Sequence, residues 1–466
     1  MLTYSFESRG KDSLYEFLYK SIRDDIVAGT LSPEEKLPSK RALADHLNIS
    51  TITIENAYNQ LMAEGYIYSK PRSGFYVASI VSPVIKSSDE KNIYSDEKTT
   101  DDVILYEADF SNNSTSQKSF PFVTWTKLMR QTMSEKREQL TLNSPSVGIR
   151  ELRCAISDYL FQFRGMSADP ECIIIGAGTE YLYSLIIQLL GRDKKYALED
   201  PCYRKIAQIY KANNVDFDYI PLDAQGVNAD ALAESSAQVL HISPSHHFPT
   251  GIVTPVSRRY ELLSWASESP ERYIIEDDYD SEFRFSGRPI PSLQSIDNLD
   301  KVIYINTFSK SLTSTIRISY MVLPKALMEL YKKELSFYSC TVSNFEQYTL
   351  ASFIEQGYFE KHINRMRNYY RTQRDAVMQA IKNHPLYYKV DIKEEDSGLH
   401  FLMSVETNLS DDELTEKAKD RGVNLSCLSQ YYRNQYTAPQ HTLLINYSGV
   451  VKDKVSEAVD KLFECI

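Results

Sequence analysis

A short polar segment holds the strongest candidate for covalent chemistry. Residues 306–312 read Asn-Thr-Phe-Ser-Lys-Ser-Leu and follow the apolar run 302–305. A lysine flanked by serines just after a buried strand can form an imine with an aldehyde, and neighbouring hydroxyl and guanidinium groups can hold a phosphate. Lys310 is that lysine, and Ser309 and Arg317 supply the other groups. A lone lysine in a serine-rich loop is ordinarily a surface residue, so this interpretation needs further polar groups at the same place.

Such groups occur earlier in the chain. The sequence Glu-Asp-Asp-Tyr at 276–279 directly follows the apolar run 273–275. A carboxylate there can pair with a protonated pyridine nitrogen and keep the ring electron-poor. Tyr279 can hydrogen-bond an oxygen on the same ring, and Tyr203 follows Glu-Asp-Pro-Cys, where it can stack on the ring. These residues therefore predict a site for an aromatic aldehyde that carries a phosphate.

The elements that must position these groups are strands and helices in alternation. Four short apolar runs bounded by polar residues indicate buried parallel strands, at 172–175, 239–242, 273–275 and 302–305. Gly178 and Thr179 open a helical stretch after the first run, and the amides at a helix N-terminus suit a phosphate. The alternation predicts a doubly wound α/β domain over 104–466.

A separate compact unit is predicted over 12–78. Ser13 with Glu16 has the spacing of a capping box, and apolar residues then recur at helical intervals until Gly29. A second helix opens at Pro38-Ser39 and runs through His46, and a third is expected over 51–64 with Ser50 as its N-cap. Two short strands, 66–68 and 75–77, flank a Pro/Gly turn. A helix pair followed by a β-hairpin is a winged helix-turn-helix.

The polar side chains of this unit suit DNA. The start of the third helix can meet phosphates and base edges, and cations precede and follow it. The candidate DNA-binding residues are Lys40, Arg41, Ser50, Thr51, Thr53, Asn56, Lys70 and Arg72. Each cation alone could be an ordinary solvated residue, but their joint placement on the second helix and the wing favours DNA binding.

Bulk properties narrow the class of protein. The 466-residue chain has a formal net charge of −11, which argues against non-specific coating of nucleic acid. Acidic and basic residues nearly balance over 1–78, so any basic surface must be local. The six cysteines form no CxxC pair and no metal spacing, as in a reduced cytoplasmic protein without a metal site. No signal peptide or membrane-spanning run is evident. The polar stretch 79–103 is expected to be a flexible linker.

The segment 37–77 resembles the DNA-binding domain of the GntR superfamily. It carries Leu-Pro-Ser-x-Arg-x-Leu-Ala, then Ser-x-x-Thr-Ile-x-x-Ala-Tyr, Glu-Gly and Ser-Gly-x-x-Val. The family usually has arginine after the capping serine, where this chain has Thr51. Because that position commonly contacts DNA in the family, the resemblance implies an altered base preference.

The region 120–450 resembles class I and II aminotransferases, which are fold-type-I enzymes dependent on pyridoxal 5'-phosphate (PLP). Six motifs occur in the family's order, at 146–153, Gly178, 200–203, 249–251, 276–279 and 309–310. The resemblance implies that Lys310 forms the internal aldimine, and that the ring and phosphate contacts come from Asp277, Tyr279, Tyr203 and Arg317. Asp277 is preferred to Asp278 because the family's acid follows the glutamate directly.

The chain departs from active aminotransferases at several positions. Phe248 stands before Pro249, where the family commonly has asparagine. The strand expected at 442–447 lacks the arginine that clamps a substrate carboxylate. Three other cations are candidates for an effector carboxylate: Arg204, Lys205 and Arg433.

A GntR-like winged helix fused to an aminotransferase-like domain is the arrangement of the MocR/GabR-type regulators. The resemblance implies a domain-swapped homodimer that binds a double-stranded DNA operator. The effector it implies is either a small amino compound or PLP itself. The alternative is a working PLP-dependent aminotransferase whose DNA-binding domain no longer regulates.

Overall fold

The computed structural model describes residues 2–6, 9–10, 12–79, 106–111, 119–285, 291–393, 398–450 and 452–466. The chain divides into two compact units, Met1–Val103 and Ile104–Ile466. The expected linker 79–103 lies outside the described residues, apart from Ser79.

The first unit has the predicted winged helix. Its elements are Leu14–Val27 (α1), Lys40–Leu47 (α2), Thr51–Ala63 (α3), Ile67–Lys70 (β1) and Gly74–Val77 (β2). Serine side chains cap all three helices, and Ser13 with Glu16 forms the predicted capping box. Each cap satisfies an amide that the helix leaves without an internal partner, which fixes where the helix begins. The third helix ends at Ala63, one residue earlier than predicted, because Glu64 caps it and Gly65 turns with φ +77°.

An apolar core joins the helices of this unit to its hairpin. Leu18, Ile22, Ile54 and Leu61 are fully buried within it. The hairpin pairs Ile67 with Val77 in antiparallel register. The first strand begins one residue later than predicted and extends to Lys70, so the ladder continues to the base of the turn.

The second unit contains thirteen α-helices within the described residues. They are Phe122–Glu135 (α4), Arg137–Thr141 (α5), Arg150–Arg164 (α6), Thr179–Leu190 (α7), Arg204–Ala212 (α8), Ala229–Glu234 (α9), Val256–Ser267 (α10), Phe308–Ser311 (α11), Lys325–Glu334 (α12), Asn344–Glu355 (α13), Tyr358–Asn383 (α14), Asp411–Asp420 (α15) and Val455–Cys465 (α16). Its strands are Ala108–Asp109 (β3), Ile173–Gly176 (β4), Tyr196–Asp200 (β5), Phe217–Asp223 (β6), Gly226–Val227 (β7), Val239–Ile242 (β8), Tyr273–Asp277 (β9), Val302–Thr307 (β10), Ser319–Val322 (β11), Val390–Lys393 (β12), His400–Val405 (β13), Val423–Asn424 (β14), Ser426–Cys427 (β15) and Thr442–Asn446 (β16).

An eight-stranded sheet organises most of this unit. Its strand order is β4-β11-β10-β9-β8-β5-β6-β7. The five consecutive strands β6, β5, β8, β9 and β10 are parallel to one another, as predicted for the runs at 239–242, 273–275 and 302–305. The run at 172–175 differs from the prediction, because its strand β4 pairs with the antiparallel strand β11. Apolarity alone reports burial on both faces of a sheet and not the direction of the neighbouring strand.

A second, four-stranded antiparallel sheet has the order β12-β13-β16-β15. It packs with α14, α15 and α16 around an apolar core of its own, which includes Phe401 and Leu462. No helix in the described part of the chain is both long and apolar enough to cross a membrane. Among the same residues, no three His, Cys, Asp or Glu side chains come together as metal ligands.

Candidate functional site

A cavity of about 480 Å³ lies at the carboxyl ends of the central strands. Ligands of open α/β sheets bind at this edge because the loops that follow the strands converge there. The cavity wall includes eight of the residues that the sequence pointed to: Thr179, Tyr203, Lys205, Asp277, Tyr279, Ser309, Lys310 and Arg317. Gly178 is not part of the wall but immediately precedes Thr179. The fold therefore brings together side chains that are separated by more than one hundred positions in the chain.

Lys310 lies in the short helix α11, on the loop that joins β10 to β11. The Thr307 side chain caps this helix by accepting from the Ser309 amide at 3.1 Å. Burial lowers the pKa of Lys310 to about 8, while the Asp280 carboxylate acts in the opposite direction. A pKa near neutrality makes the uncharged amine, which is the nucleophilic form, accessible under ordinary conditions.

Asp277 presents one satisfied and one unsatisfied oxygen. Its Oδ2 accepts a hydrogen bond from the Tyr183 hydroxyl at 2.5 Å and lies 3.8 Å from His241 Nε2. Its Oδ1 is buried and has no hydrogen-bond partner among the described residues. An unpaired buried carboxylate oxygen is costly. A ligand that donates a hydrogen bond from within the cavity would remove that cost.

Asp278 faces a different environment. Its Oδ2 accepts hydrogen bonds from Arg164 Nη2 at 2.8 Å, from the Tyr304 hydroxyl at 2.6 Å and from the Ser281 hydroxyl at 2.9 Å. Because the protein itself occupies this carboxylate, the geometry favours Asp277 over Asp278 as the group that meets a ligand.

The end of the cavity near α7 is rich in groups that suit a phosphate. Gly178 precedes the helix with φ +94°, and a Cβ there would lie 2.2 Å from Arg317 Nη2. Only glycine therefore lets the guanidinium approach the backbone so closely. Arg317 itself has φ +51°, which is uncommon outside glycine. The N-terminal amides of α7, Thr179 and Ser309 complete this end of the cavity.

Tyr279 and Tyr203 line the cavity in different ways. The Tyr279 hydroxyl lies 3.2 Å from His246 Nδ1, which is also 2.9 Å from Asp280 Oδ2. If His246 Nδ1 donates its proton to Asp280, the same nitrogen cannot accept a proton from Tyr279. The shorter contact to Asp280 therefore leaves the Tyr279 hydroxyl free to donate into the cavity. Tyr203 is half exposed and sets its ring edge-on to Phe248 at 5.7 Å.

The start of α3 carries the four uncharged candidates for DNA binding in the first unit, Ser50, Thr51, Thr53 and Asn56. Ser50 is the N-cap, and its hydroxyl is 2.8 Å from that of Thr53, so the two hydroxyls already contact each other. Thr51 and Asn56 are exposed. Ile52, which was not predicted as a DNA-binding residue, is also exposed beside Thr51 and offers an apolar contact to a base methyl group.

The four candidate cations of this unit fall into two kinds. Lys40 forms an ion pair with Glu55 at 2.7 Å, and Lys70 forms one with Glu34 at 3.2 Å. Arg41 and Arg72 are exposed, and neither has an ion pair within the described part of the unit. Arg72 has φ +62° in the turn of the wing. The two arginines are therefore the cations most available to a phosphate.

Comparison with known proteins supports both halves of this picture. Residues 14–77 match the family described as bacterial regulatory proteins, gntR family, and residues 109–462 match aminotransferase class I and II. The chain is 38% identical over 460 residues to the uncharacterized HTH-type transcriptional regulator YdeL of Bacillus subtilis, covering 96% of each. It is 29% identical to the probable rhizopine catabolism regulatory protein MocR of Rhizobium meliloti, over 96% of this chain and 93% of that one. The chain belongs to the MocR/GabR-type transcription regulators.

A solved structure supports the fold of the larger unit. Kynurenine aminotransferase of Pyrococcus horikoshii superposes with a TM-score of 0.67 at 24% identity, over 77% of this chain and 90% of that one. The cofactor of the class I and II aminotransferase fold is PLP. The residues of this MocR/GabR-type chain fit that group, because the unpaired Asp277 Oδ1, the Lys310 amine and the Arg317 guanidinium border one cavity.

Several residues of the cavity escaped the sequence analysis. Tyr183 lies one turn after Thr179 on α7, and His241 is the one polar residue of β8, so both positions carried a signal. Glu199 is buried, accepts from the Ser243 amide at 3.0 Å and lies 3.4 Å from His247 Nε2. Burial, the largest cause, raises the pKa of Glu199 to about 8.

The three cations considered for an effector carboxylate are placed differently. Lys205 borders the cavity and pairs with Glu180. Arg204 is exposed and is not part of the wall. Arg433 places its guanidinium 5.6 Å from the ring centroid of Tyr219, also outside the wall. Of the three, the geometry favours Lys205.

Proposed function

We propose that this regulator holds PLP on Lys310 and alters its DNA binding when an amino compound, or PLP itself, occupies the cavity. The observation that carries the proposal is the unpaired Oδ1 of buried Asp277, which borders the same cavity as Lys310. A buried carboxylate without a donor is expensive to maintain unless a ligand supplies the donor.

Each residue of the cavity has a role that follows from its surroundings. Bound PLP supplies an aldehyde that reacts with amines and a ring that withdraws electrons. Asp277 would accept a hydrogen bond from the ring nitrogen, while Tyr183 holds the carboxylate in orientation. Tyr279 would offer its hydroxyl to the ring oxygen, and Arg317 and Thr179 would bind the phosphate. Lys310 provides an amine that is largely uncharged above its lowered pKa of about 8.

Regulation requires that an effector bind two conformations of the protein with different affinity. We expect the two states to differ at the cavity and to change how two winged helices are presented to DNA. The resemblance to the family suggests a domain-swapped homodimer, in which two copies of α3 would read two half-sites of an operator. Lys205 is then the candidate for contact with an effector carboxylate.

The test is the variant Lys310→Ala with Lys325→Ala as its control. Lys325 is an exposed lysine at the start of α12 in the same unit. Wild-type protein and K325A should develop a visible absorbance band when PLP is added, and K310A should not. K310A should bind upstream DNA as the wild type does but lose its response to amines. An unchanged response in K310A would refute a covalent switch.

A working aminotransferase would behave differently in the same experiments. Purified protein would convert an amino acid and a keto acid over many turnovers. It would also bind its own upstream DNA no better than unrelated DNA.

A further inference from the structure

One acidic side chain lies at the end of the cavity where a phosphate would bind. Glu180 is the second residue of α7, directly after Thr179, and borders the cavity. Its Oε1 pairs with Lys205 Nζ, and its Oε2 lies 3.3 Å from Arg317 Nη2. The two oxygens of one carboxylate therefore occupy the two cations at this end of the cavity.

The carboxylate is charged and its surroundings keep it so. The hydrogen bond from Lys205 lowers the pKa of Glu180, and the nearby Arg317 adds to this effect. The N-terminus of α7 favours a negative charge at the same place. An incoming phosphate would bind at the helix amides and would need the Arg317 guanidinium, which Glu180 already contacts.

The position of Arg317 does not depend on Glu180 alone. Its guanidinium packs against Gly178, where a Cβ would collide with it. The backbone next to Arg317 is also held in place, because the carbonyl of Ile318 accepts a hydrogen bond from the Phe308 amide at 2.9 Å. Removing the carboxylate should therefore leave the guanidinium at the cavity rather than release it.

We propose that Glu180 is a built-in competitor for the cofactor phosphate, which weakens PLP binding and so keeps it reversible. When a phosphate binds, the carboxylate must either give up Arg317 or remain beside a second anion, and each outcome costs free energy. The inference rests on the proposed function, since it assumes that PLP binds in this cavity. It explains how one chain can use PLP as a cofactor and also respond to its concentration.

The expected effect is moderate because the three side chains are partly solvated. Their exposed fractions are 41% for Glu180, 47% for Arg317 and 49% for Lys205. We expect Glu180→Gln to lower the Kd for PLP on the order of three- to tenfold, as for a like-charge contact at a partly exposed site. Pyridoxal, which lacks the phosphate, should bind wild type and E180Q equally well.

The control is Glu271→Gln, which removes an exposed glutamate that pairs with Lys194 in the same unit. Kd would be measured by equilibrium dialysis of PLP and of pyridoxal against full-length protein. Tighter PLP binding in E180Q, with pyridoxal and E271Q unchanged, supports the proposal. Equal or weaker PLP binding in E180Q overturns it and assigns Glu180 to holding Lys205 and Arg317 in place.

Failure of the inference is distinguishable from failure of the proposed function. If wild type binds PLP and E180Q binds it no more tightly, only the role of Glu180 falls. If neither protein binds PLP at millimolar concentration, the proposed function falls as well. A gain in E180Q that appears equally with pyridoxal would also overturn the proposal, because the effect would not involve the phosphate.

Discussion

The two units of this protein place their functional polar groups in opposite environments. In the winged helix, Thr51, Arg41 and Arg72 lie on the surface of a unit whose core is apolar. In the larger unit, Asp277 and Arg164 are buried. Arg164 pairs with buried Asp278, and Asp277 has one oxygen without a hydrogen-bond partner among the described residues. Substituting a surface group can alter binding with little loss of stability. Substituting a buried charged group affects both function and the stability of the fold.

The contrast extends to the direction of pKa shifts. In the first unit, the pKa of exposed Glu64 is lowered, chiefly by a hydrogen bond from Tyr19. In the second, burial raises the pKa of Glu282 to about 7. The ionised form of Glu64 therefore stabilises the first unit, whereas the neutral form of Glu282 stabilises the second.

The largest expected effect comes from breaking a buried ion pair. Arg164 and Asp278 lie 2.8 Å apart with side chains 4% and 1% exposed. Arg164→Ala leaves Asp278 buried without its cation, so we expect the larger unit to lose about 3–5 kcal/mol of unfolding free energy. Urea denaturation monitored by circular dichroism would measure this loss.

The control is Lys332→Ala, which removes an exposed cation paired with exposed Glu329 in the same unit. That change should cost under about 1 kcal/mol. Comparable losses in the two variants would contradict the comparison between buried and exposed charges.

A pH-dependent effect should distinguish the buried carboxyl groups from the exposed ones. The folded pKa of Glu199 is about 8, above its unfolded value, so its contribution to stability is full below pH 4.5 and declines as pH rises toward 8. We expect Glu199→Gln to leave stability nearly unchanged at pH 5. At pH 8.5 it should raise stability relative to the wild type, on the order of 2 kcal/mol.

Glu64→Gln tests the opposite sign in the first unit. Because the folded pKa of Glu64 is lowered, its contribution is present above the unfolded pKa and is lost as pH falls. The variant should therefore be slightly less stable than the wild type at pH 7 and equal to it at acid pH. Unfolding midpoints across pH 4–9 would record both trends, and parallel curves for the two variants would count against the contrast.

The smallest effect on folding is expected at the wing, where the readout is DNA affinity. Arg72 has no ion pair within its described unit, whereas Lys70 is already paired with Glu34. Arg72→Ala should weaken binding to the operator about fivefold to tenfold, because one phosphate contact is lost. Lys70→Ala should weaken it less, because Lys70 is already paired with Glu34 and must leave that ion pair before it can contact a phosphate.

Both Kd values would be measured by fluorescence anisotropy at fixed salt, alongside thermal unfolding. Equal unfolding temperatures with unequal Kd values would sharpen the distinction between the units. A larger loss in K70A than in R72A would reverse the proposed ranking of the cations.

Local signals in the sequence predicted much of this structure. Ser13 with Glu16 placed the first helix correctly, because a cap depends on residues only a few positions apart. The run around Lys310 and the run around Asp277 both follow buried parallel strands, whose carboxyl ends must meet at one edge. These parts were predictable because each depends on short-range pattern plus one rule of topology.

Long-range pairing was not predictable in the same way. The antiparallel partner of β4 comes from residues more than 140 positions away. Glu55 neutralises Lys40 across two helices, and Glu180 meets both Lys205 and Arg317 from separate elements. Such contacts depend on how elements pack and leave no periodicity along the chain. The sequence predicted one strand of the second sheet, at 442–447, which is β16, but the pairing of β12, β13, β16 and β15 was missed for the same reason.

The loop that joins β10 to β11 fixes more than the position of one lysine. Its two ends are held together where the Ser319 hydroxyl donates to Thr307 Oγ1 at 2.8 Å. Lys310 and Arg317 both lie between these ends. The number of residues that separate them therefore sets the distance between the amine and the guanidinium. Inserting one residue would preserve every functional group and yet spoil the spacing between them. Loop length is thus a heritable property of the site, as open to selection as the identity of any side chain.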